Sequence, residues 1–513
     1  MEVGTKNPVL DLEALRVSIS RTPSVLVILS TITAYIVKVF DKKPASFEVK
    51  KFLESKRFYL DFLASVGPAL NSALTKKSWL STNYVTDWWE EYVYLSSRDS
   101  LMINSNYFGL GTERIPSNRG TSRIAGYVWS ILKWRKDALI DGKVPPIKLQ
   151  KLVPLCPMQY KRAFGTNRAP GKDKDNLVYN EQSTHIAVFH KNALEFAIDS
   201  VQKSEPSEAD KINHLPAGTA LSREKWASLR DVLKSDAQNE ASLAKIENAL
   251  FHVWLDDEPA NVVKPASMVE FARRCLHGSG QNVWFDKCFS VIASSNGHIG
   301  QNVEHTWADG AVMLHITEEV QVLEHLMIEY NPETGTILGK DVKSNAKMDI
   351  LKWNSLEKTL EQISKELSTI ADEITNLSLS QLSFSKFGKN EIKKWRLSPD
   401  AICQMAFQLT NFKIRNKLSM TYEAALARLF KDGRTETIRS CTTASAAFVK
   451  EMLDKNSDNQ KRRNALKAAV TNHSELTKHA MVGEAVDRHL FALCVASRGL
   501  NMEHEFLNKY KKC

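Results

Sequence analysis

The 513-residue chain lacks most of the signatures by which a sequence declares its chemistry. Its seven cysteines (Cys156, Cys275, Cys288, Cys403, Cys441, Cys494 and Cys513) are scattered, odd in number and never spaced Cys-x-x-Cys. That argues against a disulfide framework or a zinc site and for a reducing compartment. No other metal-ligand spacing appears. The formal charge of +10 permits an anionic partner: nucleic acid, an acidic membrane surface or a phosphorylated ligand. No RNP, zinc-finger or helix-turn-helix signature favours nucleic acid. Long apolar runs are scarce too. Pro23 to Val37 carries no charge, but it is short of a span of about 17–25 residues and holds Ser30, Thr31 and Thr33. No small-residue cleavage site follows it. Two readings of residues 23–40 stand: a membrane-spanning or membrane-lying helix, or a helix buried in the protein or in an oligomer contact.

What is present is a globular composition, 43% hydrophobic and 25% charged, in a chain too long for one ordinary core. Two domains are the natural expectation, three the alternative. The stretch that organises the rest is Ile299-Gly-Gln-Asn-Val-Glu-His-Thr-Trp-Ala-Asp309. Ahead of it, Cys288 to Ser294 reads as a strand, and Asn296-Gly297 supplies a hairpin turn. His305 therefore falls just past the second strand, well placed to meet a substrate. Histidine is the usual general base near neutral pH. Asp309, four residues on, is a carboxylate that can fix its tautomer. By itself His-x-x-x-Asp is a weak signal, and the neighbouring blocks give it weight.

Taken in order, Phe47 to Leu74 is helical, with a break at Gly67-Pro68. The aromatic cluster Ser78 to Tyr94 reads first as a core-packing helix. Leu101 to Tyr107 reads as extended, 123–140 as a helix, and Asn167 to Gly171 as a loop. Thr184 to His190 reads as a buried strand whose His185 and His190 are core or strand-end residues rather than ligands. Residues 202–222 read as a polar loop, Leu243 to Leu250 as a helix and Phe251 to Asp256 as a strand. Residues 311–329 are helical. Leu356, Leu360, Ile363, Leu367, Ile370 and Ile374 recur at helical spacing and mark an amphipathic helix. The run Phe384 to Arg396 gathers Lys386, Lys389, Lys393, Lys394 and Arg396. It is either a solvated face or a phosphate site. Ser398-Pro399 is a helix start, with Ser398 as N-cap and Pro399 in the first turn. Helices fill 443–481, and Val486 to Leu493 opens the last clear one.

Together these blocks resemble the carnitine/choline acyltransferases, most closely the carnitine palmitoyltransferases of the outer mitochondrial membrane. The matching residues are Asn83 to Tyr92, Leu101 to Tyr107, Asn167 to Gly171, Trp284 to Lys287 and Glu304 to Asp309. Phe387 to Lys389, Thr421 to Glu423, Gly433 to Thr437 and Asp487 to His489 complete the set. The resemblance implies an α/β fold of two chloramphenicol-acetyltransferase-like lobes, with the active site between them. The implied domains are an N-terminal segment 1–45 with a candidate membrane helix and a helical segment 46–95 packing with the C-terminal lobe. They continue with a lobe 96–375 carrying the catalytic histidine and a truncated lobe 376–513 for carnitine and CoA. The implied reaction moves a long-chain acyl group between CoA and the hydroxyl of L-carnitine. His305 is the implied base and Asp309 its support. Tyr422, Thr435 and Arg488 are implied to hold the carnitine carboxylate. Lys389 and Lys393 face the CoA phosphates, with Asp400 and Glu423 nearby. CoA and carnitine are substrates; no cofactor, metal or nucleic acid is implied. The implied location is the outer mitochondrial membrane facing the cytosol, the alternative being cytoplasmic.

Departures from the family pattern set a second expectation. The family carries a Ser-Thr-Ser oxyanion motif and a Phe-Gly-Pro segment beyond the Asp-Arg-His block, and no Ser-Thr-Ser follows Arg488 here. Val283 stands where the family has Arg, Gly310-Ala311 where it has Ala-Pro, and Asn192-Ala-Leu where it has Gly-Arg and an aromatic. Three readings result. The chain is an acyltransferase, completed by a partner if need be. Or it is a catalytically impaired relative that binds acyl-CoA or carnitine, or regulates a full-length relative. Or the sequence is incomplete. A homo-oligomer is a further expected partner.

Overall fold

The computed structural model describes residues 49–111, 115–143, 147–149, 152–190, 193–194, 215–339 and 349–510. The apolar segment 23–40 lies outside them. The chain forms two compact units. One takes Glu90–Pro146 and Pro157–Ser383; the other takes the described part of Asp11–Trp89 with Ile147–Cys156 and Phe384–Cys513.

Twelve strands run through the described residues: β1 (Tyr107–Leu110), β2 (Lys148–Leu149), β3 (Val153–Pro154), β4 (Thr166–Ala169), β5 (Asn176–Tyr179), β6 (Ala187–His190), β7 (Ala193–Leu194), β8 (His252–Asp256), β9 (Phe289–Ser294), β10 (Ile299–Val303), β11 (Glu423–Leu426) and β12 (Thr435–Ile438). Six of them make the central mixed sheet of the first unit, in the order β1-β10-β9-β8-β6-β7. β8 runs parallel to β6 and β9, while the β9–β10, β10–β1 and β6–β7 pairs are antiparallel. Every residue of β9 and β10 is buried, as central strands covered on both faces must be.

The two faces of β10 can be read from alternate side chains. Asn302 donates to the carbonyls of Cys275 and Leu276, on the helix Pro265–Leu276, at 3.0 and 2.8 Å. A side chain at Gly300 would strike Cys275 and Phe271 on that same helix. Gln301 points the other way, donating to the Tyr127 hydroxyl at 3.1 Å and accepting from Thr317 at 3.1 Å. Those two residues sit on the helices Gly120–Trp134 and Gly310–Met327. The sheet is thus a middle layer with helices on both sides.

The hairpin expected at Asn296-Gly297 joins β9 to β10. Gly297 has φ +85°, and a Cβ there would lie 2.0 Å from the Ser117 carbonyl oxygen. Only glycine fits both demands. Gly297→Ala should therefore lower the thermal midpoint of the protein by several degrees, a cost of roughly 1–3 kcal/mol. An unchanged midpoint would show that the turn rearranges freely.

The amphipathic helix Glu357–Asn376 buries Ile363 and Ile370, with Leu360, Leu367 and Ile374 packed beside them. They join a core around Trp226 and Trp284, whose rings meet edge to face at 5.6 Å. Val283 is buried in the same apolar core, which suits valine at that position. The helix Pro399–Arg415 starts as expected, with the Ser398 hydroxyl accepting the Ala401 N–H at 3.3 Å. In the second unit, Leu70 and Leu74 pack against Leu490, Leu493 and Leu507 of the helices Asp487–Gly499 and Glu505–Tyr510.

Four local expectations are corrected. Leu101 to Asn104 is a helical turn capped by Ser100, and the strand begins only at Tyr107. Asn167 to Ala169 is strand, not loop. It pairs with β5 and lies against 286–288, where the Arg168 N–H donates to the Asp286 carbonyl at 2.8 Å. Leu215–Ala220 is a buried 3₁₀ turn within the stretch read as a polar loop. The helix opened by Asp487 is followed by another, Glu505–Tyr510.

Candidate active site

β10 ends at Val303, and Glu304 to Asp309 lead from it into the helix Gly310–Met327. From Ile299 to Asp309 every residue is buried except His305, which is half-buried. The chain around it is pinned by side-chain bonds. Glu304 accepts the Thr306 N–H at 3.0 Å and its hydroxyl at 2.6 Å. The Trp307 indole donates to the Cys288 carbonyl at 2.8 Å. Tyr94 stacks on the His305 ring at 5.2 Å and 29°, while Tyr107 meets it edge-on at 5.0 Å and 70°. Asp309 is buried and is gripped by Gln159: its carboxylate accepts the Gln159 amide at 3.0 Å, and its own N–H donates to Gln159 at 2.9 Å. A histidine held between two aromatic rings, with one edge reachable, is suited to proton transfer with an incoming hydroxyl or thiol.

Tyr94 belongs to the π-helical turn Glu90–Leu95, where no residue is fully buried. Such turns recur at functional sites. The core-packing reading of Ser78 to Tyr94 is thereby revised at its end, since Tyr94 lies on His305.

The second unit brings together the three residues expected to clamp a carboxylate. Arg488 is 7% exposed. Its guanidinium donates to the Thr435 hydroxyl at 3.0 Å, the Tyr422 hydroxyl at 3.2 Å and the Thr437 hydroxyl at 3.0 Å. It also lies over the Trp89 ring at 3.5 Å from the ring centre, a cation–π contact. Trp89, Tyr84, Phe430, Thr435, Glu436 and Arg488 are among the residues that line an open cleft. Burial pushes the Glu436 carboxyl up to about 7; Asp487 adds to the rise and Arg488 opposes it. Burial holds the neighbouring His489 down at about 4, with its Nδ1 against the Tyr84 hydroxyl at 3.2 Å. Near neutral pH the cleft therefore holds two permanent cations, Arg488 and Arg434, among groups that are neutral or only partly charged. That is an environment for a small anion.

Lys389 and Lys393 lie exposed on the short helix Lys389–Lys394. Asp400 and Glu423 form a separate group. Glu423 bonds to His473 at 2.8 Å, and burial followed by the Glu423 charge raises the Asp400 carboxyl. Among the described residues no hydrogen bond or ion pair joins either lysine to Asp400 or Glu423. The ligand atoms of Asp400, Glu423 and His473 lie within 4.8 Å of one another, close enough to share a proton or to hold a cation. Asp400 and Glu423 are expected together from the sequence, and only His473 is missed there. Lys386 to Glu391 line a shallow, open groove.

Gln159, marked only by contact in three dimensions, was missed from the sequence alone, and Tyr107 was quoted within a matching block but given no role. Thr437 was quoted within a motif but given no role. Trp89 was assigned to core packing, and its neighbour Arg488 changes that.

The family model for Choline/Carnitine o-acyltransferase matches residues 30–511. Carnitine O-palmitoyltransferase 1, liver isoform, of Homo sapiens is 36% identical over 476 residues, covering 88% of this chain and 61% of that protein. Its human muscle isoform is 35% identical over 499 residues, 90% of this chain and 64% of that protein. Carnitine O-acetyltransferase of Rattus norvegicus is 31% identical over 474 residues, 86% and 74% of the two chains. The chain thus spans a little over three fifths of the length of these palmitoyltransferase relatives. A solved starter condensation domain of rhizomide synthetase RzmA aligns at 10% identity over 79% of this chain and 74% of that one. Its TM-score is 0.23, too low to carry an argument.

Proposed function

Since the chain belongs to the choline/carnitine O-acyltransferase family, we propose that it transfers a long-chain acyl group between CoA and the hydroxyl of L-carnitine. The observation that carries the reading is His305, the one half-buried residue in an otherwise buried stretch, held between Tyr94 and Tyr107. His305 takes the proton from the carnitine hydroxyl. The resulting oxygen attacks the thioester carbonyl, and a tetrahedral oxyanion forms. Collapse breaks the C–S bond, and the imidazolium returns its proton to the departing thiolate. The reverse reaction starts with the CoA thiol. No covalent enzyme intermediate is required, and no resident cofactor or metal.

In this reading Arg488, Thr435 and Tyr422 hold the carnitine carboxylate, the arginine as a fork and the hydroxyls as neutral donors. Lys389 and Lys393 take the CoA phosphates, and Asp400 and Glu423 lie near that moiety. Asp309 supports His305. The fold would comprise two chloramphenicol-acetyltransferase-like lobes with the reaction between them, divided along 46–95 with 376–513 and 96–375. Long-chain preference rests on the palmitoyltransferase names of the relatives. An outer mitochondrial membrane location follows the resemblance and would depend on the segment 23–40; among the described residues no helix is long and apolar enough to cross a membrane. The relatives compared above are transferases by name, so nothing in them favours the impaired-enzyme alternative.

The test is release of CoA thiol from palmitoyl-CoA by the purified chain, with and without L-carnitine. Carnitine-dependent release is expected. Its absence at every acyl chain length would overturn the reading for this chain.

A further inference from the structure

Three sequence blocks have no part in the reaction as described: Asn167-Arg-Ala-Pro-Gly171, Trp284-Phe-Asp-Lys287, and Glu304 and Thr306 on either side of the base. The fold joins them through buried charges. Arg168 is wholly buried. Its Nε meets Asp175 at 2.8 Å, and its Nη1 donates to Glu304 at 3.3 Å and to the Thr306 hydroxyl at 3.1 Å. Its Nη2 donates to the backbone carbonyl of Tyr94. One guanidinium thus holds the residue before His305, the residue after it, and the residue whose ring lies on it.

Arg168 is itself held in place. Asp175, also wholly buried, receives Arg98 at 2.7 Å and Arg223 at 2.7 Å. Arg223 in turn bonds to Asp286 at 2.6 Å, and Asp286 accepts the Trp226 indole at 2.7 Å. The chain of contacts runs Glu304–Arg168–Asp175–Arg223–Asp286, through residues no more than 1% exposed.

We propose that Arg168 is a positioning residue for the base: it sets the angle and place of the His305 ring by clamping Glu304, Thr306 and the Tyr94 backbone together. This rests on the reading of His305 as the base. The competing account is a plain one, in which the buried charges stabilise the first unit and do nothing more for the reaction. Lysine cannot reproduce the clamp, because Glu304, Thr306 and the Tyr94 carbonyl are met by a planar fork in fixed directions, whereas an ammonium is a compact point charge on a flexible stem. Gln at 304 keeps an acceptor for Thr306 while removing the charge that faces Arg168.

The test compares Arg168→Lys and Glu304→Gln with wild type and with His305→Ala. Asp256→Asn is the control, since it breaks an Asp256–Arg274 ion pair of 2.6 Å elsewhere in the same unit. Folding is checked by thermal melting. The expected result is a fall in kcat of about 10–10²-fold for both clamp variants, the scale set by a misplacement near 1 Å, with KM for both substrates within about twofold. The His305 ring resonance, assigned by its loss in His305→Ala, should shift or broaden in the clamp variants and stay put in Asp256→Asn. That readout needs no turnover. Folded clamp variants with wild-type kcat and an unmoved resonance would overturn the proposal. A His305→Ala protein with full activity would overturn the base assignment instead, and with it the premise.

Discussion

His305→Ala should cut carnitine-dependent release of CoA from palmitoyl-CoA by about 10²–10⁴-fold, the usual contribution of a positioned general base. Binding of palmitoyl-CoA should survive. The imidazole makes its ring contacts with Tyr94 and Tyr107, so its loss leaves a small gap in a half-open place rather than a hole in the core. Glu304, Thr306, Trp307 and Asp309 each have partners besides the imidazole. Loss of turnover with an unchanged melting curve is therefore the signature to look for. A variant that keeps its carnitine-dependent rate would mean that the proton goes elsewhere, and the assignment would be abandoned.

Arg488→Asn should raise the KM for carnitine on the order of 10²-fold and leave the KM for acyl-CoA nearly unchanged. Truncating one partner of a buried charged pair costs about 2–5 kcal/mol, which brackets that factor. The physical basis is the surrounding inventory. Thr435, Tyr422 and Thr437 accept from the guanidinium, and Trp89 lies against its face. None of them brings a full charge of its own, so the positive charge is left for an incoming carboxylate. Two carboxyl groups lie nearby: Asp487 is engaged by Arg439, and the raised affinity of Glu436 for a proton blunts it near neutral pH. Arg488→Lys should fall between, retaining the charge and losing the fork. Equal effects on both substrates would sink the clamp, and a general loss of folding would appear as a lowered melting midpoint in both variants.

The parts legible in the sequence were those written locally. Asn296-Gly297 announced its hairpin because φ above zero calls for glycine. The 4-3 spacing from Leu356 to Ile374 announced its helix because one face had to be apolar. Ser398-Pro399 announced a helix start. Recognition of the family came from short blocks taken in order, and the fold gathers one predicted set, Tyr422, Thr435 and Arg488, around a single guanidinium. What could not be read was written across the chain. Asn167 to Ala169 looks like a loop because Pro170 and Gly171 follow, and its partners at 286–288 lie more than a hundred residues away. Gln159 carries no local mark of its hold on Asp309. Tyr94 looks like any aromatic until the strand that presents His305 is in place.

The buried arginine chain also has a meaning in time. Arg168 and Glu304 are 136 residues apart. On a ribosome adding about 5–20 residues per second, Arg168 emerges roughly 7–27 s before its acceptor exists. During that interval its guanidinium has Asp175 nearby but neither Glu304 nor Thr306, so the dry interior that will enclose it has no reason yet to close. The first unit should thus remain soft and protease-sensitive on nascent chains until synthesis has passed Thr306 and the helix Glu357–Asn376 that joins its core. In a newly made chain, the surroundings of the histidine would set late, after both halves of the arginine chain are present.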